Sequence, residues 1–339
     1  MKTSIYQLGN SERISLGMRV MFRTMRPRRD DLILPEIQHT SAGDEYHVYY
    51  PRGKSLRTVV IVYGMTIEGE HDGRLLKFAR SCANAGLKVV VPHLPGLMDF
   101  VVAPGDLRRL ERILSNLEPE KGTGVALIGF STGGSYALLL AANPDIKDKI
   151  GPVILFSPIY DARDVAERLH APAEPAPQSS KEWDQFYWAQ YVIAYRNRAR
   201  LELSHAVVEA LEIFLADYDR HEVEVKRVFY QNHIAPCHLN ERKDLLNEGV
   251  DLETLSARGH LAAIQSPVFI MHDAADRVVP PDHSRRMHAE LAQRGADFRQ
   301  GILVTPWLSH VVMQKTGSPT ELFQFVSFIS ELFRETPGR

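Results

Sequence analysis

The sequence of 339 residues predicts an α/β fold: a mostly parallel sheet covered by helices on both sides, interrupted once by a helical insertion. Three observations predict it. From Glu45 to about Asp161, apolar runs of strand length alternate with amphipathic runs of helical spacing. After Asp161 that alternation stops. At Ser266 it resumes and continues almost to the end. Parallel strands need crossover connections, and helices placed in those crossovers cover both faces of the sheet.

The elements follow in order. "EYHVYYP" alternates apolar and polar residues and reads as an antiparallel strand. "RTVVIVYG" is continuously apolar, as in a strand buried on both faces. "HDGRLLKFARSCANAG" has helical spacing, with Gly86 placed to end the helix. "LKVVVP" is the next strand. In "PGDLRRLERILSNLE", Leu107, Leu110 and Leu114 fall on one helical face, and Asp106 is the expected N-cap. "GVALIGF", a helix from Ser131 onward, and "GPVILFSP" complete the first half. "APAEPAPQSS" then reads as a linker, and residues 181 to about 260 read as helical, with an aromatic run "EWDQFYWAQYVIAY". "SPVFIMHD" returns to strand. "PPDHSRRMHAELAQRG" is a helix with Pro at its start and Gly at its end. "QGILVTP" is the last strand and "SPTELFQFVSFISELFRE" a terminal amphipathic helix. The expected organisation is an N-terminal arm or helix (1–44), a core formed by 45–160 and 266–339, and a helical cap over 161–265.

Composition bounds the function. With 44% hydrophobic and 24% charged residues, the chain is globular in type. A net charge of −2 gives no electrostatic footprint for nucleic acid. Cys82 and Cys237 are far apart and in no metal-like spacing, so a disulfide framework is not expected and a cytoplasmic location is. The start shows no signal-type apolar stretch, and no apolar run has the roughly 18 residues of a membrane span. The one local charge anomaly is "SERISLGMRVMFRTMRPRR", residues 11–29. It reads either as a helix packed on the body or as a basic amphipathic helix in peripheral contact with a membrane.

The chemistry centres on "GFSTGG". A lone Gly-x-Ser-x-Gly arises by chance in roughly one chain in ten of this length, so its context decides. Ser131 follows an apolar strand and opens a helix, the setting of a nucleophile elbow. Gly129 and Gly133 flank it where side chains would collide with each other and with the strained serine backbone. Gly134 lets the helix lie close to the sheet. The alternative is a glycine-rich turn carrying an incidental serine. An elbow requires an acid and then a base later in the chain. Asp276 in "HDAADRVVPP" lies in the loop after a strand and is the expected acid. Asp273, at the strand end, is expected to cap the turn. His310, after the last strand, is the expected base. The oxyanion donors expected are the backbone N–H groups of Thr132 and Met65, with Thr66 as the second choice for the latter; Gly64 lets that loop turn sharply.

With "GFSTGG", "HDAADRVVPP", Ser309-His310 and a strand ending in Tyr63-Gly64, the chain resembles the alpha/beta-hydrolase superfamily over about residues 45–335. The resemblance implies an eight-stranded, mostly parallel sheet, a cap in the position of the insertion, and hydrolysis of esters, thioesters, amides or peptides. Two stretches depart from the family pattern. Tyr63-Gly64 stands where His-Gly is usual, and "PHLPGLMDF" where a "DxRGxGxS" loop is usual. The reading is a carboxylesterase-like serine hydrolase acting on a hydrophobic small molecule through an acyl-enzyme. An acyltransferase with the same triad and a non-catalytic ligand-binding protein are the alternatives. No metal or organic cofactor is expected; His283 and His288 are five apart, which is not the spacing of a helical zinc pair. Trp183, Tyr187 and Trp188 are the candidate substrate-binding residues of the cap. Their alternative role is the cap's own core.

Overall fold

The computed structural model describes residues 9–26, 32–170, 180–241, 252–309, 312–313 and 318–334. The chain opens with α1 (Asn10–Met25), β1 (Glu36–His39), β2 (Glu45–Tyr49) and β3 (Arg57–Val62). Then come α2 (Gly73–Asn84), β4 (Leu87–Pro92), the single turn α3 (Pro95–Met98), α4 (Pro104–Asn116), β5 (Val125–Phe130), α5 (Thr132–Ala142) and β6 (Ile150–Phe156). The insertion carries α6 (Ala162–His170), α7 (Ser180–Arg196), α8 (His205–Ala216), α9 (Val223–Phe229) and several short turns. The core resumes with β7 (Val268–Asp273), α10 (Asp282–Ala292), β8 (Gln300–Thr305) and a short hairpin of β9 (Leu308–Ser309) and β10 (Val312–Met313), and ends with α11 (Pro319–Ser330).

The first eight strands form one sheet in the order β1-β2-β4-β3-β5-β6-β7-β8. β1 and β2 pair antiparallel, as do β2 and β4; every other pair is parallel. The reason is in the side chains: β3, β6 and β7 are buried along their whole length, as a strand covered on both faces must be. β1 was not expected from the sequence. Three of its four residues are exposed, so no burial pattern marks it.

From β3 the chain crosses to β4 on one side, and β5 then pairs on the other. The crevice between the C-terminal ends of β3 and β5 is therefore a topological switch point, where open α/β sheets bind ligands. One hydrophobic core fills both sides of the sheet. A second core belongs to the insertion and includes Tyr191, Val192, Ile193, Leu211 and Phe214. The two ends of the insertion are tied together: Ser256 Oγ accepts from Ala162 N at 2.9 Å, and Arg258 N donates to Tyr160 O at 3.0 Å.

α1 packs on α11 and α2, with Gly17, Val20 and Met21 buried. A Cβ on Gly17 would stand 2.9 Å from Val326 O, so the close approach of α1 to α11 needs glycine there. Met18 and Phe22 remain on the outer side of α1. Among the described residues, no helix is long and apolar enough to cross a membrane. One expected cap is corrected. Ala103 is the N-cap of α4 and Pro104 its first residue, while Asp106 turns back, buried, to accept from Leu97 N at 3.0 Å. A carboxylate that bonds a neighbouring turn is unavailable to its own helix. Burial, the largest influence on Asp106, raises its pKa.

Candidate active site

Ser131 stands between β5 and α5, at the N-cap position of the helix. Its backbone has φ 51° and ψ −121°, in the positive-φ region that a serine enters only when its surroundings force it. The force comes from close packing on glycine. A Cβ on Gly129 would lie 2.5 Å from Gly134 Cα, and one on Gly133 would lie 2.3 Å from the carbonyl oxygens of both Val62 and Tyr63. One on Gly134 would meet Pro158 Cβ at 2.9 Å. Gly133 thus yields to the backbone of β3 rather than to Gly129, a long-range cause that the local spacing did not reveal. Ser131 N donates to Phe156 O at 2.8 Å, and Gly134 N donates to Ser131 O at 2.8 Å, which closes the turn.

Register brings the next component alongside. Val62 of β3 stands opposite Gly129 of β5. Two residues further on, Gly64 lies against Ser131: a Cβ on Gly64 would be 3.1 Å from Ser131 Cβ and 3.0 Å from Phe130 O. Met65 follows at once. Neither its N–H nor that of Thr132 has a hydrogen-bond partner among the described residues. The Thr66 hydroxyl is engaged elsewhere, donating to Asp72 Oδ2 at 3.2 Å. Asp72 is the N-cap of α2.

Asp276 lies in the loop after β7, at the same edge of the sheet. Its Oδ1 accepts from Val278 N and Val279 N, each at 2.9 Å. Its Oδ2 stands 3.6 Å from His272 Nε2, which is itself bonded to Val279 O at 2.7 Å. The carbonyl of Val279 can only accept, so His272 Nε2 carries a proton, and His272 Nδ1 meets the Ser284 hydroxyl at 2.6 Å. Asp273 is fully buried at the strand end, where its Oδ1 accepts from Ala275 N at 3.0 Å. The loop is joined to β8 by Ala274 N donating to Thr305 O at 3.0 Å. His310 falls between β9 and β10 in the sequence and lies outside the described residues.

The cap stands over this edge. Met65, Ile67, Trp188 and Val278 are half-buried against the cap core, to which Phe100, Ile159 and Val279 of the sheet edge also belong. Tyr187 is buried, its ring edge-on to Tyr230 with centroids 4.4 Å apart, and Trp188 lies against Tyr218 at 4.6 Å. The Trp183 side chain lies outside the described residues.

A strained serine after β5, opposite a glycine after β3, on a sheet of this order with an antiparallel second strand, defines the alpha/beta-hydrolase fold. The chain belongs to the alpha/beta hydrolase family, whose model matches residues 71–323. No curated protein sequence matches it. Among solved structures it is similar to a meta-cleavage product hydrolase from Pseudomonas fluorescens IP01, at 15% identity, over 88% of this chain and 97% of that one, with a TM-score of 0.47. It is similar to the Pyrococcus furiosus esterase, at 13% identity, over 81% and 83%, with a TM-score of 0.46. It is also similar to a Mycobacterium tuberculosis puromycin-hydrolyzing peptidase, at 17% identity and a TM-score of 0.45; there 82% of this chain matches only 36% of the longer chain.

A second group of side chains gathers around Glu70 and had no signal in the sequence. Glu70, buried, accepts from His93 Nδ1 at 2.8 Å and from the Tyr63 hydroxyl at 3.3 Å, with His71 Nε2 at 3.4 Å. His47 lies alongside, its ring edge-on to His71. Four short segments between residues 47 and 93 supply these residues, and the pairing of β2, β3 and β4 brings them together.

Proposed function

We propose that this protein is a serine hydrolase that cleaves a carboxylic ester or related acyl bond of a hydrophobic small molecule. The observation that carries the proposal is the strained backbone of Ser131 at the switch point of the sheet. Ser131 Oγ attacks the acyl carbonyl while His310 takes its proton. Asp276 holds the His310 imidazole in the tautomer that can accept that proton. The N–H groups of Met65 and Thr132 bind the oxyanion, each donor being worth roughly 3–4 kcal/mol in the transition state. Water then cleaves the acyl-enzyme by the same route. The apolar surroundings formed by Met65, Ile67 and Val278 support a hydrophobic acyl or aryl group.

The test is covalent labelling. The full-length protein is expected to react with a fluorophosphonate at one serine, and Ser131→Ala to lose both labelling and ester turnover while keeping its thermal midpoint. A folded wild type that never labels, or a mutant that labels equally, would refute the proposal. Labelling without ester turnover, but with acyl transfer to an added alcohol, would move the reading to an acyltransferase.

A further inference from the structure

We infer that His47, Glu70 and His71 form a binding site for a divalent transition-metal ion of the zinc class, clamping the antiparallel strand β2 to the segment that leads from β3 into α2. His47 lies on β2; Glu70 and His71 lie in a single helical turn, Gly69–His71, just before α2. A carboxylate oxygen of Glu70 and one ring nitrogen from each histidine all lie within 4.8 Å of one another. Zinc with nitrogen and oxygen ligands at about 2.0–2.1 Å in a tetrahedron sets ligand atoms about 3.3 Å apart. The Glu70 Oε1 to His71 Nε2 separation is 3.4 Å, so this edge is already at the required length.

His47 supplies the independent evidence. Its side chain is 3% exposed, and neither ring nitrogen has a hydrogen-bond partner among the described residues. Its nearest charged neighbour, Glu45 Oε1, is 3.6 Å from Nε2. Buried imidazole nitrogens without partners are costly, and a metal ion satisfies one of them outright.

The surroundings are those of a built site. Ligating carboxylates are normally held by further hydrogen bonds. Glu70 is held by two, from His93 Nδ1 and from the Tyr63 hydroxyl. Tyr63 OH also accepts from Leu94 N at 2.8 Å, so the ligand carboxylate is coupled to the loops after both β3 and β4. His71 is largely exposed and gives the ion a way in from solvent, with a water as the fourth ligand. Two imidazoles and a carboxylate are the donor set of zinc rather than of calcium or magnesium, which prefer oxygen alone. The proposed metal site does not depend on any reading of the acyl chemistry.

The experiment measures metal, not turnover. The full chain, stripped with a chelator, is dialysed against buffered free Zn2+, and bound metal is counted by mass spectrometry. One equivalent per chain is expected, together with a zinc-dependent rise in thermal midpoint. Co2+ should give the visible absorption of a four-coordinate ion. His93→Gln, which removes a hydrogen bond to the ligand carboxylate, should weaken binding about 10–100-fold. His47→Phe and His71→Ala, which remove ligands, should weaken it at least as much. His238→Ala, on an exposed histidine elsewhere, should change nothing. If His47→Phe fails to fold, His71→Ala carries the test alone, because its side chain is exposed. Failure of the wild type to bind Zn2+, or equal binding by His71→Ala, would overturn the inference.

Discussion

Replacing Asp276 by asparagine tests the proposed triad where the structure defines its outcome. Two backbone N–H groups, Val278 N and Val279 N, both bond to Asp276 Oδ1 at 2.9 Å. In Asp276→Asn the amide oxygen must keep that position, because an NH2 group there would face two donors. The NH2 is thereby forced into the place of Oδ2. It would present a donor where the proposed mechanism needs an acceptor for His310 Nδ1–H. The imidazole then adopts the other tautomer and cannot take the serine proton. In a well-studied triad this substitution lowers kcat about 10⁴-fold, which is about 5.5 kcal/mol of barrier at 1.36 kcal/mol per tenfold. The thermal midpoint should scarcely change, since both backbone bonds survive. Asp273→Asn is the matched control. Its carboxylate is fully buried and bonds Ala275 N, so its substitution should cost roughly 1 kcal/mol of stability and little turnover. The assay is kcat for an activated ester, measured beside the midpoint of urea unfolding for both mutants. If Asp276→Asn stays within tenfold of wild type while Asp273→Asn is folded and inactive, the acid is Asp273 and the reasoning fails.

Three further outcomes are expected. Gly133→Ala places a methyl group 2.3 Å from the carbonyl oxygens of Val62 and Tyr63, so stability should fall by roughly 1–3 kcal/mol or more and turnover with it; an unchanged urea midpoint would contradict the packing described. His283 Nδ1 accepts from Tyr160 N at 3.1 Å and Asp161 N at 3.3 Å, while Nε2 meets Asp164 Oδ2 at 2.8 Å. Burial, the largest influence, holds its pKa below the ordinary 6.5, so the unfolded chain takes up this proton first. The stability from His283 is therefore complete above pH 6.5 and lost as pH falls through its lower folded value; the slope of urea midpoint against pH between 7.5 and about 5 should flatten in His283→Gln, and an equal slope would refute this. Under the proposed function, kcat/KM over a series of linear acyl esters should rise by roughly 0.8 kcal/mol per methylene and then break; a flat series would remove the apolar acyl site.

Much of the fold was legible because its cause is local. Strands buried on both faces are continuous apolar runs, and β3, β5, β6 and β7 all have that form. The turn at Ser131 was legible from the glycines on either side of it, although only Gly129 packs against its own turn and Gly133 answers to the backbone of β3. What escaped has a distant cause. β1 is an exposed edge strand held by pairing with β2, which no pattern in "EIQH" announces. Asp106 has the residue type of an N-cap but serves Leu97, in another turn, and Pro104 starts the helix without it. In the cap, apolar residues at helical spacing serve a core or a pocket equally well in sequence. The packing puts Tyr187 and Tyr191 inside the cap's own core and leaves Trp188 half-buried at its edge.

Tyr63 shows how a departure from a family pattern can be read physically. The family usually has histidine before the glycine that follows the third strand; here a tyrosine stands in that place. Its ring is buried, and its hydroxyl accepts from Leu94 N and donates to Glu70. Both bonds leave the strand end sideways, toward the loop after β4 and the turn before α2. The carbonyl of Tyr63, meanwhile, is one of the two oxygens against which Gly133 packs. One residue thus links the turn that presents Ser131 to the cluster around Glu70. A phenylalanine at this position would keep the backbone approach to Gly133 but leave Leu94 N and the Glu70 carboxylate each short of one partner in a buried place. The two departures noted in the sequence, at Tyr63-Gly64 and in "PHLPGLMDF", are therefore coupled: Tyr63 bonds the backbone at Leu94, the adjacent His93 bonds Glu70, and the loops after β3 and β4 hold each other through these contacts.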